Sequence, residues 1–541
     1  MLKRTAHTAI ALSLATVAAV TLTAGSTSSA VAADGQRTDS QKVVRTDKGA
    51  VRGTVTDAVR TFEGIPYAAP PTGDRRWAPT APAAGWRGVR DAREPGAACP
   101  QTGFVPPVGP YSDIEDCLSL NVTTPRTTSA GPRPVMVYLH GGDHTDGSGA
   151  MNGAARLAAQ GDVVVVTVNY RLGALGYLAH PDLEKKGRGE SGNYGFLDQQ
   201  AALRWVQRNA AAFGGDPGNV TLFGESGGGH STCAHLVAPS SAGLFHRVVT
   251  QSAPCLGKDG KLDRAHALKQ GEQTARAITE KVAGQGKDWR TAGAKDMVNP
   301  FGQGPEYAPV YGGKLLPLKP QEAFATGQFN KVPVLQGINH DESRAMVYGQ
   351  ELFKRQQTND PDAQISEAEY RAGLEAEFGP ERAPAIAARY PVSAYDGSPA
   401  LALAAALTDG TWARHSVETG RALATQVPTY SFEFNDSDTP WYRDHAAYPK
   451  PSFEPGAGHL SELPYLFELA EFESVPDGPH RALSDAMIRI WTEFARTGRA
   501  DWKPTTPTAP NVQSLASGPG GIRPVDFAKD HRYEFWKALG A

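Results

Sequence analysis

Two short runs near the middle of the chain are almost wholly apolar and rich in β-branched residues: 134–139 (PVMVYL) and 163–168 (VVVVTV). Runs of this length without polar alternation mark strands covered on both faces, as in a mostly parallel sheet. From 198 to 213, by contrast, Ala201, Leu203, Trp205, Val206, Ala210 and Phe213 recur near helical spacing until Gly214, Gly215 and Pro217 end the segment. That spacing predicts a helix, followed at once by a strand over 220–223. Further strands are predicted over 247–251, 332–338 and 429–434, and helices over 401–424 and 483–495. Earlier, 50–55 and 59–62 read as strands after a loose polar lead-in over 34–48. Alternating strands and helices predict an α/β fold with a large, mostly parallel central sheet flanked by helices. Neither an internal repeat nor a low-complexity linker divides the chain, so 34–541 is expected to form one domain.

The first residues carry another pattern. Lys3 and Arg4 precede an apolar stretch over 9–24, and small residues follow, ending Ala30, Val31, Ala32, Ala33. A positive head, a short apolar segment and an A-x-A site make up a secretory signal peptide, so 1–33 is expected to be removed on export, near Ala32/Ala33. Ser13, Thr16, Thr21 and Thr23 interrupt the stretch, which speaks against a stable membrane anchor. Export changes the reading of the four cysteines, because disulfides persist outside the cytosol. Four cysteines allow three connectivities, and proximity favours Cys99 with Cys117 and Cys233 with Cys255. With no C-x2-C pair and no accompanying histidine cluster, cysteine ligation of a metal is not expected, and neither a metal set nor a nucleotide loop is read. Lys and Arg number 54 against 57 Asp and Glu, a net charge of −3 without long runs of either sign, which excludes the footprint of a nucleic-acid binder.

Chemistry enters at Gly224, Glu225, Ser226, Gly227, Gly228, a G-x-S-x-G pattern. In a chain with 58 glycines the pattern alone says little. Its setting says more, since it lies between a predicted strand and a helix-compatible run over 230–237, the strand-turn-helix context of a nucleophile elbow. Glycines let strand and helix approach while the serine Oγ projects at the top of the sheet. A serine nucleophile needs an imidazole to take its proton and a carboxylate to orient that imidazole. It also needs donors for the oxyanion, and His140, Gly141 and Gly142 follow directly on the strand PVMVYL, where backbone N–H groups can converge. The residues alone leave fourteen histidines in competition, with His140, His230 and His340 each near a motif.

The chain resembles the type B carboxylesterases, the α/β-hydrolase family that includes cholinesterases, some lipases and the non-catalytic neuroligins. The resemblance rests on FEGIPYA from Phe62, EDCLSLNV from Glu115, the HGG loop at His140, VNYRLG from Val168, GNYGFLDQQAALRWVQ from Gly192 and NVTLFGESGG from Asn219. GLFHRVVTQS from Gly243, VPVLQGINHDES from Val332 and GAGHLSELPYLF from Gly456 continue it in family order. It implies an α/β-hydrolase fold with Ser226 as nucleophile, Glu342 rather than Asp341 as triad acid, and His459 as general base and acid. His140 is then a loop residue shaping the oxyanion turn, His230 a helix residue one turn past Ser226, and His340 an exposed neighbour of the acid. The resemblance implies oxyanion donors at Gly142, Asp143 and Gly227, and the Cys99–Cys117 disulfide. Relatives usually carry Gly or Ala at Asp143, so its carboxylate is expected to point away from the developing charge. The Cys233–Cys255 pair is inferred from position, two turns into the nucleophile helix and just past HRVVTQS. Glu225 is expected either to influence the site's charge or to hold a buried hydrogen bond.

The function implied is a secreted, cofactor-independent serine hydrolase acting on small carboxylic esters, with water as second nucleophile. A lipase, an amidase or carbamate hydrolase on the same site, or a neuroligin-like binding protein, are the alternatives. A cholinesterase fits least, because no tryptophan lies between Cys99 and Cys117 to hold a quaternary ammonium. Trp441, Tyr442 and Phe453 either line a pocket or pack beneath a loop. Oligomeric state leaves no mark in the sequence.

Overall fold

The apolar runs become the middle of an eleven-stranded sheet. The computed structural model describes residues 42–540 apart from 104–109, 128, 186–189, 258–259, 300–303, 440–449 and 470–475, so the signal-peptide reading of 1–33 lies outside the described residues. In chain order the strands are β1 (Thr54–Val55), β2 (Val59–Pro66), β3 (Ser119–Pro125), β4 (Arg133–Leu139), β5 (Val164–Val168) and β6 (Gly215–Glu225). They continue as β7 (Arg247–Gln251), β8 (Val334–Asn339), β9 (Thr429–Phe434), β10 (Val512–Leu515) and β11 (Arg523–Val525). Across the sheet the order is β11-β10-β9-β8-β7-β6-β4-β5-β3-β2-β1. From β10 to β5 all neighbours are parallel, and β11 at one edge and β3, β2 and β1 at the other run antiparallel.

Strand alternation divides the core between the two faces. Val135, Val137 and Leu139 of β4 point to one face with Val220 and Leu222 of β6, and Met136 and Tyr138 point to the other with Phe223. The first face is covered by α1 (Tyr194–Asn209) through Phe196, Leu203 and Val206, and by α2 (Gly227–Val237) through Ala234, Leu236 and Val237. The long helix Gly478–Thr497 covers the second with Leu483, Met487, Ile488, Trp491 and Phe494. With both faces dry, β4 and β5 have no use for polar alternation, which is why their sequence is a continuous apolar run.

One polar element is buried in this frame. Arg171, in VNYRLG, gives Nε and Nη2 to the two carboxylate oxygens of Asp198 on α1 at 2.7 and 2.8 Å, and its backbone N–H reaches the same carboxylate at 3.1 Å. Both side chains are essentially fully buried, so removing one strands the other's charge. Asp198→Ala is expected to cost about 3–5 kcal/mol of stability, read as a lower denaturation midpoint. A loss below about 1 kcal/mol would show that the pair is dispensable.

The elements depart from the expected ones in several places. The lead-in is not wholly loose: Val43–Arg45 pairs with Ala50–Arg52, which also pairs with Val89–Asp91, in a small separate sheet. The predicted strand over 50–55 is cut at Gly53, where the chain passes from the small sheet, in which Ala50–Arg52 pairs, to the large one, in which Thr54–Val55 pairs with β2. The predicted helix over 401–424 is Pro399–Leu407, a π-helical turn Thr408–Ala413, and Arg414–Leu423. No helix among the described residues is long and apolar enough to cross a membrane.

Candidate active site

The parallel register brings several strand ends to one edge. Gly224 of β6 lies opposite Leu139 of β4, Glu225 opposite Gln251 of β7, and Gln251 opposite Gly337 of β8. The turns after these strands open outside the carboxyl end of the sheet, where open α/β sheets bind ligands. Ser226 stands between β6 and α2 with φ 52° and ψ −123°, a conformation that costs a non-glycine residue about 1–3 kcal/mol. Its N–H donates to the Gln251 carbonyl at 3.0 Å and its carbonyl accepts from the His230 N–H at 2.8 Å, so neighbours on both sides hold the strained turn. The glycines around it are sterically required. A Cβ on Gly224 would lie 2.5 Å from the Gly228 backbone, and one on Gly228 only 1.9 Å from the Leu139 carbonyl oxygen.

The loop after β4 wraps against this turn. Gly142, Asp143 and His144 take three successive left-handed conformations, with φ 97°, 52° and 57°. The Thr145 and Asp146 N–H groups donate back to the Gly142 carbonyl. Successive left-handed residues turn N–H groups to one side, and the Asp143 and His144 nitrogens lie 3.0 and 3.1 Å from where a Gly227 side chain would begin. Asp143 itself is exposed, so solvent reaches it. Gln101 clamps the loop from behind: its Nε2 donates to the Gly147 carbonyl at 2.9 Å and its Oε1 accepts the Gly147 N–H at 2.8 Å. Gln101 lies two residues past Cys99, which is bridged to Cys117, and Cys233 of α2 is bridged to Cys255 just past β7.

Glu342, the first residue of helix α3 (Glu342–Thr358), is fully buried. One carboxylate oxygen accepts the Asn339 N–H at 2.8 Å and the other lies 2.6 Å from His459 Nδ1. His459 Nε2 lies 3.2 Å from Glu225 Oε1. The imidazole is therefore held between two carboxyl groups, with Trp412 of the π-helical turn packed on it at 5.1 Å between ring centroids. A third carboxyl completes the group. Glu462 accepts from Gln251 Nε2 at 3.0 Å and from Asn339 Nδ2 at 2.8 Å, and Gln251 in turn accepts from Trp491 Nε1 at 3.1 Å.

Protonation follows from these surroundings. Burial pushes His140 down to about 4, and His144 and His230 to about 3, so all three are neutral near pH 7. Burial also lowers His459, but the Glu225 and Glu342 carboxyls outweigh it and raise the imidazole to about 9. Burial raises Glu225 well above the carboxylate range, His459 opposes that shift, and Glu462 and Glu342 reinforce it. Four groups share a dry volume, so their protons belong to the cluster rather than to single residues.

Of the histidines near motifs, His459 alone is bonded to Glu342 among the described residues, whereas His140 is buried and stacked on Tyr170. His230 sits in α2. His340 is not simply exposed: it is half-buried and its Nδ1 bonds Glu433 at 2.7 Å. Asp341 accepts the Ala457 N–H at 3.0 Å and pairs with Arg344. Phe453 packs among buried residues that include Trp536 and Phe378, while Trp441 and Tyr442 lie outside the described residues. A cavity of about 160 Å³ opens beside the loop after β4, lined among others by Asp143, Thr145, Leu172, Met297, Glu306 and Tyr307.

A sequence profile described as "Carboxylesterase family" matches residues 40–536. The chain belongs to the carboxylesterase family. Within it, the chain is similar to a fumonisin B1 esterase of Sphingopyxis macrogoltabida, with 35% identity over 90% of this chain and 87% of that protein. It is 33% identical to the para-nitrobenzyl esterase of Bacillus subtilis (strain 168), over 84% of this chain and 90% of that one. A cocaine esterase of Oryctolagus cuniculus is also 33% identical, over 86% and 90%. The solved structure of a PNB esterase superposes with a TM-score of 0.72 at 29% identity, covering 92% of this chain and 100% of its own. This carboxylesterase thus has the α/β-hydrolase fold and is a carboxylic ester hydrolase.

Several site residues escaped sequence reasoning. Glu462 stood inside a quoted motif, and a carboxyl amid LSELPYLF is itself a signal, since an apolar stretch tolerates one only when it is bonded. Gln101 carried no signal beyond its closeness to Cys99. Trp412 was read as one more helix residue, although Gly410 beside it hinted at a break.

Proposed function

We propose that this carboxylesterase is an exported serine esterase in which Ser226 is the nucleophile, His459 the general base and acid, and Glu342 the residue that orients His459. Ser226 Oγ attacks the ester carbonyl and gives its proton to His459 Nε2. The oxyanion is met by the N–H groups of Gly142, Asp143 and Gly227. His459 then returns the proton to the departing alcohol, and water repeats the sequence on the acyl-enzyme. The observation that carries this reading is the 2.6 Å contact of His459 with buried Glu342, the imidazole's other nitrogen lying 3.2 Å from Glu225, the residue before a serine held at positive φ. Two disulfides and the features of 1–33 support export.

The test is hydrolysis of p-nitrophenyl esters from acetate to palmitate, with a serine-directed phosphonate as inhibitor. Turnover abolished by the phosphonate, with label on Ser226, is the expected result. Label elsewhere, or turnover that survives full labelling, would overturn the assignment.

Glu225 gives a further prediction. Its carboxyl raises His459, so Glu225→Gln is expected to move the acid limb of kcat/KM to lower pH by about one unit or more. An unmoved limb would mean that Glu225 stays protonated throughout and acts only by packing.

A further inference from the structure

A second cluster of titratable groups lies on the far side of β8 from the ester site. His340 follows β8, Glu433 is in β9, and His531 comes just before helix Tyr533–Leu539. His340 Nδ1 and His531 Nε2 each lie 2.7 Å from the same oxygen, Glu433 Oε1, and one donor atom from each residue falls within 4.8 Å of the others. We propose that His340, Glu433 and His531 form a binding site for a divalent transition-metal ion of the zinc class.

Three features carry the proposal. The donor set is two imidazoles and one carboxylate, the mixture such ions prefer, and three protein ligands leave room for water in the fourth position. Ligands in a tetrahedral zinc site stand roughly 3.3 Å apart, so the carboxylate needs to draw back from each nitrogen by about half an ångström and the two nitrogens, now within 4.8 Å of each other, need to settle at the same spacing. Next, His531 has its other ring nitrogen bonded to a carboxylate, as in a ligating histidine. Its Nδ1 lies 2.6 Å from Asp409 Oδ1, which fixes the ring and leaves Nε2 facing Glu433. Asp409 is itself held by the Tyr390 hydroxyl at 2.7 Å and Arg532 Nη1 at 2.9 Å. Finally, the site has an entrance. Glu433 and His531 are buried, but the His340 side chain is 36% exposed, so an ion can reach the cluster from that side.

The cation would take the place of the hydrogen bonds that now join the two imidazoles to Glu433. Its structural effect would be to tie the C-terminal segment to β9 and to the turn that carries Glu342. Sequence spacing gives no hint of this, because the three ligands stand at 340, 433 and 531. The competing account is a metal-free relay of hydrogen bonds and ion pairs through the same atoms.

The test uses the untagged, exported chain, stripped with chelator and titrated with zinc chloride by calorimetry, and separately with cobalt chloride by visible absorption. The expected results are one equivalent of zinc bound with micromolar or tighter affinity, and cobalt d–d bands of a four- or five-coordinate site. His340→Ala should weaken zinc binding by at least about 30-fold and abolish the rise in Tm that zinc gives the wild type. His340 is half-buried, so this variant is expected to fold; Glu433→Gln gives an independent loss of a ligand. Absence of saturable binding at millimolar zinc, or equal affinity in both variants and wild type, would overturn the proposal in favour of the relay.

Discussion

Ser226→Ala is expected to lower kcat for p-nitrophenyl acetate by a factor of about 10⁴ to 10⁶ while leaving the fold intact. The size follows from the chemistry. Without Oγ no acyl-enzyme forms, and only binding and oxyanion stabilisation remain to favour direct attack by water. The intact fold follows from the turn, whose hydrogen bonds to Gln251 and His230 are made by the main chain and survive the substitution. Alanine carries the same cost as serine at φ 52°, so no strain is relieved or added. Thermal melts beside the kinetics separate a chemical loss from a folding loss. Retention of more than about one per cent of wild-type kcat would remove Ser226 from the mechanism.

Glu342→Gln is expected to be nearly as severe, with kcat lower by about 10³ to 10⁴. The carboxylate now takes the Asn339 N–H with one oxygen and faces His459 Nδ1 with the other, so both oxygens act as acceptors. An amide has one acceptor and one donor. Whichever way it turns, its NH₂ opposes either the Asn339 N–H or the proton on Nδ1, and the imidazole loses the tautomer in which Nε2 carries no proton and can accept one. Asp341→Asn is the natural control. Asp341 bonds Ala457 and Arg344 rather than an imidazole, so its change should touch stability and leave kcat within about threefold. Comparable losses in the two variants would contradict the placing of the acid at Glu342.

The sequence was most readable where burial is complete. Strands Arg247–Gln251 and Thr429–Phe434 have the bounds that their apolar content predicts, and β4 and β5 differ from prediction by one residue. Strand Ser119–Pro125, of which EDCLSLNV covers only the first half, is not predicted by its pattern, because its polar groups hide the alternation. Half-buried Asn121 bonds Thr167 on the neighbouring strand, and buried Thr124 bonds the Phe213 carbonyl, so these polar groups sit in the sheet at little cost. The break at Thr408–Ala413, at which Gly410 only hints, was missed for another reason. Periodicity sees a helical stretch, while the π-helical turn is dictated by what lies on either side: Phe378 and Trp536 crowd Gly410, and Trp412 rests on His459. Within the site, the elbow and the glycine loop showed themselves as local motifs. The choice of His459 among fourteen histidines required long-range pairing, which spacing alone cannot carry and only the family resemblance supplied.

The separation of these groups along the chain has a consequence for how the molecule comes into being. Glu342 and His459 are 117 residues apart, and Ser226 lies earlier still, in the turn after a strand whose parallel partners are joined to it by long crossovers. Such long-range pairing is slow to form. A growing or translocating polypeptide therefore carries its strained serine turn, if formed at all, without the imidazole that would arm it. Hydrolytic power thus arises late, when the last third of the chain has settled, so the incomplete polypeptide is spared its own chemistry until folding is complete.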